Sequence, residues 1–127
     1  MRAVWLPVNW KLGTKIVELT GSFMKESDWK KFKQIKELAL EKYCSSVLSE
    51  CKDVVLDEQQ HSYERYLYLY NMLQNRNEHM ALMFDGHSRS KAWLQLIAIR
   101  REGLADEALV EALSEDFREK TDPTKLW

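Results

Sequence analysis

The sequence predicts an all-α fold. It reads as an up-down bundle of three main helices plus two short C-terminal helices, led by a short N-terminal β-hairpin or extended arm. Three observations predict this. Apolar residues recur at steps of three and four from Ser27 to about Phe117, the spacing of one helix face. Capping residues precede the periodic runs, and Gly86 and Gly103 follow two of them. At 127 residues, with 45% hydrophobic and 31% charged, the chain has the size and composition of one globular domain with its own core. Residues 1–23 read as the arm and 24–127 as the helical domain.

The arm differs in composition from the helical domain. Ala3 to Leu6 is one short strand candidate, and Lys15 to Thr20 is a second, β-branched and alternating. Gly13 is placed to turn between them. Ser27 reads as the cap of the first helix, with Asp28 where the helix dipole favours an anion. Trp29, Phe32, Ile35, Ala39, Tyr43, Val47, Cys51 and Val54 then form one stripe, uninterrupted by Pro or Gly, to about Leu56.

Asp57 to Gln60 fits a capping box for the second helix, and Ser62 is an equally good cap. This helix carries Tyr63, Tyr66, Leu67, Leu69, Tyr70, Leu73, Met80, Ala81 and Phe84, a broad arc that predicts burial on more than one side. Beyond Gly86 the apolar centre rotates by about a third of a turn at ~100° per residue, so the chain is expected to break there.

The third helix, apolar from Ala92 to Ile99 except for Gln95, is expected at the centre of the core with Trp93, Leu96 and Ile97 buried. Arg100 and Arg101 suit its C-terminal dipole, and Gly103-Leu104 fits a Schellman ending. Asp106 caps a short fourth helix. Ser114 caps a fifth, with Phe117 inward, and Pro123 stops it.

Familiar chemistries find no frame. His61, His79 and His87 lack the four-residue spacing of a helical zinc site. No Gly-x-Ser-x-Gly elbow and no Gly-rich phosphate loop is present. No catalytic residue, metal or cofactor is therefore assigned. The third and fourth helices have the outline of a helix-turn-helix, but the would-be recognition helix holds Asp106, Glu107, Glu111, Glu115 and Asp116 and no cation before Arg118. Phosphates would repel it, so nucleic acid is the weakest of the readings. Net charge is −1, and no stretch approaches the ~20 apolar residues of a membrane span. Cys44 and Cys51 lie two helical turns, ~10 Å, apart and cannot pair within an intact helix. With no signal-peptide pattern, a cytoplasmic location is expected.

Two readings of function remain. The first is a non-enzymatic protein-interaction module or adaptor acting as a homodimer. Its contact surface would be Met72 and Met83, which fall outside the main arc of the second helix, with Tyr68 and Leu94. The second is a helical domain that binds or converts a small molecule in a pocket near Tyr70, Met80, His87 and Trp93.

Overall fold

The computed structural model describes residues 24–125, and every element within them is helical. The predicted hairpin or arm over residues 1–23 lies outside the described residues. Three long helices come first: α1 (Glu26–Leu56), α2 (Ser62–Phe84) and α3 (Arg89–Arg101). Two short ones, α4 (Glu107–Glu111) and α5 (Glu115–Lys120), precede a 3₁₀ turn at Pro123–Lys125. As expected, α1 is continuous and the chain breaks at Gly86, which takes φ +80°. An L-residue rarely adopts that conformation.

Two helix starts differ from the sequence reading. Lys25 is the N-cap of α1, and Ser27 sits inside the first turn. The Asp57–Gln60 segment is a turn, and α2 begins at Ser62 with His61 as its cap. Side-chain contacts lie close to both boundaries. Asp28, read as a first-turn anion favoured by the helix dipole, is buried and accepts from the Ser114 backbone N–H at 2.8 Å and the Ser114 hydroxyl at 2.5 Å. Arg65 donates to the carbonyls of Val55 and Gln60 and so closes the α1–α2 corner.

The other helix ends agree with the sequence. At the end of α3 the Leu104 N–H reaches the Ile99 carbonyl at 3.0 Å and the Gly103 N–H reaches Arg100 at 3.1 Å. That is the two-bond Schellman pattern, with Gly103 at φ +74°. Asp106 accepts from the Leu109 N–H and Ser114 from the Phe117 N–H, so both short helices carry side-chain caps. Arg100 then ties the C-terminal end down, donating to the Arg118 carbonyl at 2.8 Å and the buried Thr121 hydroxyl at 2.9 Å.

The core gathers at one end of the molecule. Trp29, Phe32, Ile35 and Ala39 from α1 meet Met83, Ala92, Leu96 and Ile99, and Ala105, Val110, Leu113 and Phe117 close over them. Burying each of the larger aliphatic or aromatic side chains stabilises by about 1.5–3 kcal/mol. Trp93 is a correction: it is 43% exposed and not at the core's centre, while Gln95 on the same helix is buried. Gln95 is held there because its amide donates to the Asp85 carbonyl at 2.5 Å, fixing the chain break against α3.

Beyond Ala39 no residue of α1 is fully buried. The rest of α1 and the first two-thirds of α2 form an antiparallel hairpin that extends away from the core. Its pairing is fixed by three contacts. Tyr43 donates its hydroxyl to the Arg76 carbonyl, the Arg76 guanidinium meets Glu50 at 2.9 Å, and Arg65 grips the corner.

Candidate interaction surface

The hairpin carries most of the large exposed apolar side chains among the described residues. Tyr63 is 69% exposed, Tyr66 64% and Tyr70 52%, with Leu67 and Leu73 exposed beside them. These five lie within an arc of roughly 120° on α2. The sequence predicts this stripe as core. It is apolar and helically spaced, but α1 covers the other side of the helix.

That other side is occupied by Met72 and Met83, at 6% and 4% exposure. The predicted interface is therefore corrected: both methionines are interior, and Met83 belongs to the core cluster. Tyr68 and Leu94, predicted with them, are exposed. The error has a plain cause. Periodicity finds a stripe but not its direction, and α2 has apolar residues on both sides.

The exposed stripe has a companion on α1. Leu40, Leu48 and Val55 are exposed there, with Cys44 and Cys51 half-buried between them. Given the Tyr43–Arg76 and Glu50–Arg76 contacts, this row lies clockwise of the α1 side that meets α2, viewed from the core end. The tyrosine row lies anticlockwise, by the same view, of the α2 side that meets α1. In an antiparallel pair those two rotations arrive on the same side. The two rows therefore form one face, with Val55 level with Tyr66 and Leu48 level with Leu73.

No charged residue falls within either row. On α2 the polar members are Gln74 and Asn77, and on α1 the row is Leu40, Cys44, Leu48, Cys51 and Val55. Charges begin at the margins, with Lys52 beside one row and Glu78 beside the other. A solvated helix face ordinarily carries charge, whereas tyrosine-rich, charge-depleted surface marks the centre of protein interfaces.

The four residues predicted to share a pocket lie in different settings. The Tyr70 hydroxyl is on the exposed face, accepting from Gln74 at 3.1 Å. Met80 is half-buried and Trp93 exposed. His87 packs on Trp29, ring centroids 5.2 Å apart, in a basic corner. There the Arg89 guanidinium and the Lys33 ammonium also lie over the Trp29 ring, at 5.2 and 5.6 Å. Arg89 pairs with Glu26 at 2.7 Å, and this hydrogen bond holds the Glu26 carboxyl below the usual carboxylate range. Lys36 donates to the Gly86 carbonyl at 2.7 Å. Burial lowers its ammonium pKa, and Lys91 adds to that lowering while Asp85 opposes it. Burial also lowers the His87 pKa, with Lys36 and Lys33 acting in the same direction.

A separate cleft of about 520 Å³ opens at the hairpin tip, lined by Val54, Asp57, Gln60, Glu64, Arg65 and Tyr68. None of the predicted pocket residues lines it, and Arg65 already commits donors to the Val55 and Gln60 carbonyls. Among the described residues no group of three or more His, Cys, Asp or Glu side chains is placed to hold a metal ion. No helix there is long and apolar enough to cross a membrane.

In comparisons with known proteins, the chain matches no protein-family model, no curated protein and no solved structure.

Proposed function

We propose that this chain is a non-enzymatic interaction module that works as a homodimer, joined through the uncharged face of the α1–α2 hairpin. The observation that carries this reading is the pair of charge-free apolar rows on one side of a hairpin that the core leaves uncovered. Three tyrosines of ~150–250 Å² each, at their observed exposures, with Leu48, Val55, Leu67 and Leu73, offer roughly 700 Å². A stable pair of proteins of this size buries about 800 Å² per partner. A second copy supplies the same apolar face without any new chemistry, as a two-fold interface requires. In this reading the three long helices become an up-down bundle whose missing layer comes from the partner. A reducing, cytoplasmic setting fits the two free thiols near that face.

Sedimentation velocity of the full chain over a range of concentrations tests the proposal. The expected result is twice the chain mass for the wild type and a single chain for the Tyr66→Lys, Tyr70→Lys double variant, with helix content unchanged. A monomeric wild type, or a double variant as dimeric as the wild type, would remove it.

A further inference from the structure

Resting on the homodimer reading, we infer that the two copies meet through α2 in an antiparallel register that sets Tyr66 of each against Asn77 of the other. The spacing along α2 carries this. Tyr63, Tyr66, Tyr70, Leu73, Asn77 and Met80 succeed one another at steps of three, four, three, four and three. That is the seam of a coiled coil, in which each inward position inserts between residues of the facing helix. In α2 the seam is built, yet its tip-proximal part from Tyr63 to Asn77 faces away from α1 and is exposed.

In antiparallel seams the two kinds of inward position alternate, so each layer joins one of each. Centring such a seam on the Tyr63–Met80 stretch gives three layers and their symmetry copies. Tyr70 meets the partner's Leu73, Tyr66 meets the partner's Asn77, and Tyr63 meets the partner's Met80. The polar groups find each other in this register. The phenol of Tyr66 donates to the Asn77 carboxamide, and the Met80 thioether lies against the Tyr63 ring, a favourable sulfur–aromatic contact. A single polar residue at a seam position is a device that fixes register at a cost in stability. Asn77 is the one such residue among these six.

Shape selects the antiparallel direction. The core, with α3, α4 and α5, is packed at one end of the hairpin. A parallel pairing sets two such cores side by side at the same level. The antiparallel one sets each core beside the partner's narrow tip and opposes the helix dipoles.

Disulfide trapping in the full chain tests the register. In a Cys44→Ser, Cys51→Ser background, chains carrying Tyr66→Cys are mixed with chains carrying Asn77→Cys and oxidised with diamide. The mixture is expected to give the disulfide-linked pair on a non-reducing gel, and neither variant alone should give it. In the inferred register, Tyr66 positions of the two chains stand eleven residues out of level, about 16 Å, well beyond the ~7 Å limit for bridging. Sedimentation of each unoxidised variant keeps the two proposals separable. A dimer in which Tyr66→Cys bridges to itself overturns the antiparallel register and leaves the homodimer standing. A dimer that yields no mixed disulfide also overturns the register. A monomeric background chain overturns both.

Discussion

Tyr43 donates its hydroxyl to the backbone carbonyl of Arg76 across 2.9 Å, at the edge of the core cluster. On one side of this bond the helices belong to the core. On the other they are held by each other, by the Arg76–Glu50 pair and by Arg65.

Tyr43→Phe should cost about 1 kcal/mol by urea denaturation, the usual net worth of one such hydrogen bond. The effect should concentrate in the hairpin, with faster amide exchange beyond Ser45 and little change in α3. Burial also raises the Tyr43 pKa above its ordinary 10. Wild-type stability therefore contains a part that is complete below pH 10 and lost as the pH climbs through the raised value. The Phe variant should lack that alkaline loss, and equal alkaline slopes would argue that the hydroxyl is solvated.

Leu96 and Trp93 should behave oppositely to their sizes. Leu96 is fully buried in the core, so Leu96→Ala should cost about 2–5 kcal/mol as a cavity. Trp93 is largely out of it, and Trp93→Ala should cost well under half as much in the same melt. A larger loss for Trp93 would place it back in the interior.

Gly86 and Gly103 both hold positive φ, but their surroundings differ. A Cβ at Gly103 meets nothing within 4 Å, and one at Gly86 meets the far end of the Lys91 side chain at 3.1 Å. Conformation dominates at both, so each Gly→Ala should destabilise by about 1–2 kcal/mol, and Gly→Asn by less. A stabilised Gly86→Ala would mean that α2 and α3 run on as one helix.

His87 is held below its ordinary pKa of 6.5 by burial against Trp29, with Lys36 and Lys33 adding repulsion. The unfolded chain binds this proton more readily than the folded one. Its contribution is therefore complete above pH 6.5 and is lost as the pH falls through the lowered folded value. Replacing it with Asn should flatten that part of the stability profile below pH 6.5. An unchanged slope would assign the acid sensitivity to carboxylates instead.

Much of this architecture was legible in residues. The unbroken stripe of α1, the end of α2 at Gly86, the Schellman turn at Gly103-Leu104 and the Asp106 and Ser114 caps all rest on local chemistry, and local chemistry is written in order along the chain. What could not be read depended on direction. The tyrosine stripe of α2 and its methionines are both apolar, and only the position of α1 decides that Met72 and Met83 go inside. Asp28 was equally opaque, because its partner at Ser114 lies 86 residues away. The exposed apolar surface was expected on the correct helix and on its wrong side. The absence of charge between Tyr63 and Leu73 on that side was the available signal, apart from Glu64 and Arg65, which point elsewhere.

The bond between Asp28 and Ser114 also says how the chain is partitioned. The core draws its members from Trp29 to Ala39 and from Met83 to Phe117, so the intervening forty-odd residues are a detour that leaves the core and returns to it. Closing a detour of that size costs little more than closing a shorter one, since each doubling adds only about 0.6 kcal/mol. The reach of the hairpin is thus a free variable of the design. Matched seven-residue deletions in α1 and α2 would keep both rows in phase and shorten the arm while leaving its anchorage untouched.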